Sequence, residues 1–328
     1  RMTIQRWNGY LWAQAGTAAT PEYLAVAAGG THDAVAVGEA GMIAEWDGVA
    51  WTLPSRLTFD ELRGVWGVTP DRAWAVGANG TILAGDGRAW TRETSTTTRD
   101  LYDVWAADAD NVWAVGDFRT ILRLRAGRWS SEIPDDAPAE FTAIWGHAAD
   151  DVWAGGRFGT ILHFDGAAWT IAVPGSMDDT RITDLWGFGP DDVWSTSNTC
   201  DVLHWDGATW SVSIPRPCFQ GASLWGASPD DLWLIANRAG SDAVFHWDGA
   251  SWANLGLAVE WQEAIWGHAA DDVWTVGWYG AAVHWDGSTW TGEGMSTSKW
   301  LWGLWGSTSG DLWAVGEFGS ILRRNSAR

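Results

Sequence analysis

The sequence predicts an all-β fold assembled from repeated thin sheets, and three observations carry that prediction. The first is a period: the leading Trp of successive units falls at Trp66, Trp105, Trp145, Trp186, Trp225, Trp266 and Trp305, 39 to 41 residues apart. Residues 141–170 and 262–291 share the frame most openly, with Ile-Trp-Gly-His-Ala-Ala-Asp-Asp-Val-Trp in both. The second is that each unit holds four runs of strand length separated by turn residues, with no helical periodicity. The third is that both faces of these runs are apolar, since alternation along a strand sends Ile144 to one side and Trp145 to the other. A sheet apolar on both faces has to be sandwiched between neighbours. Four-stranded units of about 40 residues packed around an axis describe a β-propeller. A weaker unit at 23–52, with Ala27 in the Trp place, brings the count to eight.

Within residues 141–170 the first strand ends in the triplet Ile144-Trp145-Gly146, and the second runs from Asp151 to Ala154. The third is 160–164, and the Asp165-Gly166 turn leads to a short fourth strand centred on Trp169. The frame recurs at 62–91, 101–130, 182–211, 221–253 and 262–291. A last unit at 300–324 stops before its Asp-Gly turn, and residues 4–14 offer a third strand and a fourth-strand Trp12. The expectation is a single domain over 1–328, an eight-bladed β-propeller of four-stranded antiparallel blades closed by the N-terminal strand. Residues 3–7 and 320–324 both match the third strand, and the pattern leaves open which of them fills it.

Composition narrows the function classes. The chain carries 41 acidic against 20 basic residues, a formal charge of −21, so phosphate backbones and anionic lipid surfaces are repelled. Its 46% hydrophobic content excludes a disordered acidic chain. No apolar run approaches the roughly 18 residues of a membrane-spanning helix. The sequence begins at Arg1 with no signal-peptide pattern in its first residues, and the expectation is a mature or trimmed chain, secreted or attached to the cell surface.

Of the 31 Trp, 27 occupy repeat positions and are expected to pack sheet against sheet. Trp261, Trp278, Trp300 and Trp302 do not. In a propeller the 2–3 turns and 4–1 connections open on one face, and all four map there, onto the seventh and eighth units. Tyr279 and Phe318 lie in the 2–3 turns of the same two units, and Glu263 lies nearby on a first strand. Aromatic rings beside carboxylates suit the apolar face of a sugar or a quaternary ammonium group. A purely structural reading, in which these rings seal a channel or cover the ring closure, competes with binding.

No metal or cofactor is expected. His163, His204, His246 and His284 repeat one strand position, so equivalent residues in adjacent blades stand on the order of 10 Å apart, too far to share an ion. The pairs Asp150-Asp151, Asp191-Asp192, Asp230-Asp231 and Asp271-Asp272 lack the alternating spacing of a calcium loop and read as turn residues accepting backbone hydrogen bonds. Cys200 and Cys218 fall on one face and are expected to form a disulfide, which suits an oxidising compartment. No nucleophile elbow, phosphate loop, zinc-protease or dinucleotide motif is present. Inner-strand carboxylates such as Asp103, Asp184 and Glu263 are the only candidates for glycoside hydrolysis or lyase chemistry.

The stretches Trp-Ala-Val-Gly-Ala-Asn-Gly-Thr-Ile-Leu at 74–83 and Trp-Ala-Val-Gly-Glu-Phe-Gly-Ser-Ile-Leu at 313–322, with the recurring Trp-Asp-Gly-x-x-Trp, resemble the repeats of Asp-box (BNR, sialidase-type) propellers. The likeness is greatest to the photosystem II assembly-factor-like branch, and Trp-rich repeats of this style are similar to those of myxobacterial surface proteins. The leading Ser of the Asp box is absent, as at His204-Trp205-Asp206-Gly207. A sialidase would imply an arginine triad with a Tyr–Glu nucleophile, for which Arg63, Arg181 and Tyr102 are scattered counterparts. The resemblance marks a structural turn and implies no activity. The expected role is a non-enzymatic recognition module that binds a glycan or other small ligand at the aromatic patch. The alternative is a protein-interaction scaffold using the variable 4–1 connections.

Overall fold

The computed structural model describes residues 4–7, 12–16, 23–30, 33–38, 43–46, 51–52, 60, 62–69, 72–86, 90–132, 140–175, 179–199, 201–214, 220–237, 243–256, 261–293, 300–306, 312–316 and 320–324. For strand residues up to 34, and for most of 38–52 and 302–324, it describes the backbone alone.

Strands follow the chain within each sheet. In the 141–173 sheet they are Phe141–Ala148, Asp151–Gly156, Ile161–Phe164 and Trp169–Val173, each antiparallel to the one before. Sheets at 23–52, 62–93, 101–131, 182–214, 220–254 and 262–292 repeat the order, which makes seven four-stranded antiparallel sheets. The Asp-Gly pair builds the hairpin between third and fourth strands. Asp165 Oδ1 accepts the amides of Ala167 and Ala168 at 2.9 Å each, and Gly166 takes φ 89°, a conformation that glycine enters without steric cost. Asp206 and Asp248 repeat this over Gly207 and Gly249. These amide hydrogen bonds hold the carboxyls of Asp165, Asp206 and Asp248 below their ordinary range.

The two Trp of the first and second strands have separate packing roles. Three first-strand Trp, Trp105, Trp145 and Trp225, lie over the Gly of the next unit's triplet. A Cβ at Gly146 would stand 2.6 Å from Cη2 of Trp105, one at Gly187 2.4 Å from Cη2 of Trp145, and one at Gly267 2.5 Å from Cζ3 of Trp225. The Trp-Gly dipeptide is therefore an interlock, with the indole of one sheet in the space left by the missing side chain of the next. Two units depart from it: beyond Trp66 the Gly place is held by Ala106, whose carbonyl accepts the Trp66 Nε1–H at 3.1 Å. Phe188 fills the space at Gly226, and Trp186 instead meets Trp266 edge-on at 6.1 Å.

Second-strand residues Trp74, Trp113, Trp153, Trp194, Trp233 and Trp274 are each under 2% exposed. Four of them pack across the interface into an aromatic pair of the following sheet. Trp113 meets Phe164 and Trp169 at 4.8 and 5.4 Å, and Trp153 meets Trp205 and Trp210 at 5.3 Å each. Trp194 and Trp233 engage Trp247–Trp252 and Trp285–Trp290 in the same way. In all four cases the fourth-strand ring stands nearly edge-on, the arrangement that the ring quadrupole favours.

The remaining strands correct one expectation. Leu301–Gly306, Leu312–Gly316 and Ser320–Arg324 pair in order, and Ile4–Trp7 then adds alongside Ser320–Arg324 in parallel, with Trp12–Gly16 outside it. Ile4 faces Ile321 and Arg6 faces Arg323. Both copies of the third-strand sequence are used, side by side, in a sheet of five strands instead of four. The reason is that 320–324 already holds the antiparallel place beside the second strand, which leaves 4–7 an open edge to join.

The interlock yields a test by unfolding in denaturant. Gly187→Ala, whose Cβ would also lie 2.9 Å from the Asp192 carbonyl, is expected to destabilise by about 1–3 kcal/mol. Gly189→Ala, two residues away with nothing within 4 Å of its Cβ, is expected to change stability by no more than about 0.5 kcal/mol. Equal losses at the two positions would refute the interlock.

Candidate functional site

One backbone contact recurs where each 2–3 turn meets the 4–1 connection before its own first strand. The amide of the first turn residue donates to the carbonyl of the last connection residue: Asp117 to Asp100 (2.9 Å), Arg157 to Glu140 (3.0 Å), Asn198 to Arg181 (2.9 Å) and Trp278 to Trp261 (2.8 Å). The approach is so close that the glycine before each turn is required in three of these units. A Cβ at Gly116, Gly156 or Gly277 would sit within 2.1 Å of that carbonyl oxygen. The side chains at these clamp positions are Asp, Arg, Glu and Asn in three units, so the fold asks for no particular side chain there. In the 262–292 unit both are Trp. Trp300 occupies the connection position of the following unit, directly before Leu301–Gly306.

The three indoles form one stack. Trp278 lies between Trp261, at 4.6 Å and 17° between planes, and Trp300, at 4.2 Å and 8°. Tyr279 stands edge-on to Trp278 at 6.5 Å and to Trp300 at 6.3 Å, and is 66% exposed. The Trp278 Nε1–H donates to Glu263 Oε1 at 2.5 Å, which fixes the rotation of the central ring. Trp261, Trp278, Tyr279, Trp300 and Glu263 are thus together. The Trp302 side chain, Phe318, Cys200 and Cys218 lie outside the described residues, and with them the disulfide expected from the sequence. Both faces of Trp278 are covered by neighbours, so a sugar cannot stack on it. The most exposed members of the group are Tyr279 and the 39%-exposed Trp261, with Trp278 and Trp300 half-buried.

The sequence reading missed two further aromatic residues of this face, Phe118 and Phe158. They share the turn position of Tyr279, and all three have left-handed backbone, with φ 52°, 64° and 55°. Phe118 is 60% exposed beneath the Arg99 guanidinium, 3.9 Å from its ring centre. The available signal was the repeated Gly-x-aromatic turn after the second strand, at 116–118, 156–158 and 277–279.

The polar groups read as turn or strand residues have a more definite role. The second Asp of each pair binds the third-strand His and, in three sheets, the second-strand indole. Asp192 Oδ1 lies 2.8 Å from His204 Nε2 and 2.7 Å from Trp194 Nε1, with the His ring stacked on the Trp at 3.9 Å. Asp231–His246–Trp233 and Asp272–His284–Trp274 match it. Asp151 engages His163, which stacks on Trp153. These Asp are corrected from turn acceptors to side-chain organisers of the sheet. Burial pushes the Asp272 carboxyl up, but hydrogen bonds from His268, His284 and Trp274 outweigh it and hold the group far below the usual range. In the 101–131 sheet Asn111 and the 2%-exposed Arg123 replace the pair, with the guanidinium 4.2 Å over Trp113.

Asp103 and Asp184 are half-buried on the first strands, and each ties one sheet to the next. Asp103 accepts Val104 N at 2.8 Å and, across the interface, Ile144 N at 2.9 Å. Asp184 accepts Leu185 N at 2.8 Å and Leu224 N at 3.1 Å. Desolvation drives Asp103 up to about 6 and Asp184 up to about 7, the latter helped by the charge of Asp103. All four oxygens serve backbone amides, which makes these groups sheet-to-sheet ties. The residues raised by the sialidase comparison are held elsewhere: Arg63 pairs with Asp100 at 2.9 Å and lies over Tyr102, and Arg181 pairs with Glu140 at 3.2 Å. Among the described residues no group of His, Cys, Asp and Glu could hold a metal ion, and no helix is long and apolar enough to cross a membrane.

No protein-family model matches the chain, and no curated protein does. Among solved structures, YCF48 bound to a D1 peptide is similar at 17% identity and TM-score 0.63, over 82% of this chain and 94% of that one. Sqt1 from Chaetomium thermophilum matches at 11% identity and TM-score 0.77, over 99% and 97%. The computationally designed Ika8 protein matches at 15% and 0.75, over 98% and 97%. At these identities the likeness is one of fold. The chain is a β-propeller built from Trp-rich repeats.

The raised carboxyls set a pH dependence. The folded chain keeps a proton on Asp184 that the unfolded chain releases near the ordinary Asp range, so the unfolded state binds fewer protons between about pH 4 and 7 and stability falls as pH rises through that window. The stability difference between wild type and Asp184→Ala, from denaturant curves at pH 4.5 and 7.5, is expected to shrink toward the higher pH. A difference that grows with pH would reverse the assignment.

Proposed function

We propose that the chain is a non-enzymatic recognition module, an eight-bladed propeller of Asp-box-like repeats, secreted or displayed at the cell surface, that binds a peptide or protein segment on the face of its 2–3 turns and 4–1 connections. The observation that carries this reading is the aromatic occupation of the clamp positions. Trp261, Trp278 and Trp300 stand where other units place charged or polar side chains, so the fold does not require them. Exposed aromatic residues in deep contact with a rigid scaffold are the usual anchors of protein interfaces. Ring closure is supported by first-strand contacts that run from each unit to the next in chain order and from Leu301–Gly306 back to Tyr23–Gly30. The YCF48 structure with its peptide shows that a propeller of this general shape accommodates such a ligand. The covered faces of Trp278 favour a peptide over the glycan expected from aromatic rings beside carboxylates. Localisation rests on the expected Cys200–Cys218 pair and on the resemblance of the Trp-rich repeats to those of surface proteins.

Selection of a displayed random-peptide library on the intact chain is expected to yield peptides whose affinity falls at least about tenfold in Tyr279→Ala and in Trp261→Ala, as for interface anchors. A glycan array run in parallel is expected to be blank. Glycan binding lost in the same variants, or selected peptides indifferent to both, would overturn the proposal.

A further inference from the structure

The polar groups around the indole stack are one-sided in their hydrogen bonding. The carbonyls of Trp261 and Trp278 already accept the amides of Trp278 and Ala281, and Glu263 Oε1 accepts the Trp278 indole N–H. Two donors remain: the Trp261 indole N–H and the Tyr279 hydroxyl have no partner among the described residues. They belong to the two most exposed rings of the group. Both rings are carried on left-handed backbone, at φ 67° and 55°, beside the 2.8 Å hydrogen bond that clamps Trp278 to Trp261. The rings are therefore positioned before any ligand arrives.

We infer that this group receives a proline-rich segment in the polyproline II conformation, flanked by basic residues; the inference rests on the reading of this face as a peptide-recognition surface and names the class of peptide. An extended segment of ordinary residues brings one N–H per residue, and each that is covered needs an acceptor. The acceptors at the stack are in use. Proline brings a carbonyl and no N–H, so a run of prolines matches a site whose open groups are donors. Its carbonyls take the Tyr279 hydroxyl and the Trp261 indole, and its rings lie against the exposed aromatic surface. The polyproline II helix is also preformed, so little conformational freedom is lost on docking, which is how aromatic-lined grooves hold such segments. The formal charge of −21 attracts basic flanks over distance and disfavours acidic ones.

The test is a titration of the isotope-labelled full chain with a synthetic peptide of six prolines between two lysines, capped at both ends. Saturable chemical-shift changes are expected at the Trp261, Trp278 and Tyr279 amides and at the Trp261 indole N–H. The same peptide with alanine in place of proline is expected to bind at least about tenfold more weakly. Glutamates in place of the lysines are expected to weaken binding at least about threefold at low ionic strength. Tyr279→Phe, which removes only the hydroxyl, is expected to cost about threefold or more, while Phe118→Ala, on another sheet, leaves the titration unchanged. Absence of saturable shifts in the wild-type chain, equal binding of the alanine peptide, or tighter binding of the glutamate-flanked one overturns the inference, and none of these depends on how a variant folds. Undiminished binding by a folded Tyr279→Phe overturns it as well. Library peptides that depend on Tyr279 and Trp261 but lack proline would overturn this inference alone, whereas peptides indifferent to both residues would overturn the wider reading of the face.

Discussion

Every sheet in this molecule has to bury both of its faces, and that constraint organises the rest. A four-stranded sheet of short strands has too little aliphatic surface to do so with Val and Leu alone. Large aromatic side chains supply the missing area, each burying on the order of 150–250 Å². The second-strand Trp does this across the interface, inside an aromatic pair of the next sheet, as Trp153 does against Trp205 and Trp210. The first-strand Trp does it nearer the axis, where the interior narrows and only a missing side chain makes room, so Trp145 is matched by Gly187. Trp abundance and Gly abundance are two sides of one packing solution.

A buried indole brings an N–H that needs a partner, and the Asp–His pair answers it in three sheets. Asp192, Asp231 and Asp272 each accept the indole of the Trp two residues on and a His from the third strand. The His also stacks on the Trp face, so one carboxylate orients both rings and fixes the second strand against the third. In the 101–131 sheet Arg123 lays a cation over the ring face instead, and Trp113 Nε1 is left without a hydrogen-bond partner, as Trp153 Nε1 is beside Asp151 and His163. With rigidity secured between sheets and along the Asp-bearing turns, the opposite turns are left free to vary.

How far the sequence discloses this depends on whether a feature is periodic. The period, the four runs per unit and the Asp-Gly hairpins follow from residue spacing, because each position is tested many times in one chain. Cross-interface pairs such as Asp103 with Ile144 are hidden, because partners 41 residues apart share no local pattern. The Asp–His–Trp grouping was visible as three separate regularities, but only strand pairing brings Trp194 opposite His204 and shows them to be one. The five-stranded sheet escaped for a different reason. Two equivalent segments, 4–7 and 320–324, compete on paper for one place, whereas a sheet edge accepts both. At the candidate site, Trp261, Trp278 and Trp300 were legible as departures from the repeat. Phe118 and Phe158 are marked only by the repeated Gly-x-aromatic turn at 116–118, 156–158 and 277–279, which follows the repeat instead of departing from it.

The turn conformation sharpens what that contrast means. Asn79, Phe118, Phe158 and Tyr279 occupy left-handed backbone, a region that bulky residues enter at a cost of about 1–3 kcal/mol each. Asn is among the residues that tolerate it best, and a turn selected only for folding would be expected to hold Asn or Gly throughout. Phe and Tyr at this position add strain and, in Phe118 and Tyr279, expose most of an apolar ring to water. Trp261, also left-handed at φ 67°, compounds the cost beside them. Neighbours on the same face cover part of these rings, Arg99 over Phe118 and the Trp278 and Trp300 indoles edge-on to Tyr279, and leave the rest in water. On the proposed reading of this face, a bound segment that covers these rings would remove their remaining exposed apolar surface, and the left-handed backbone would keep them projected from the face before the partner arrives.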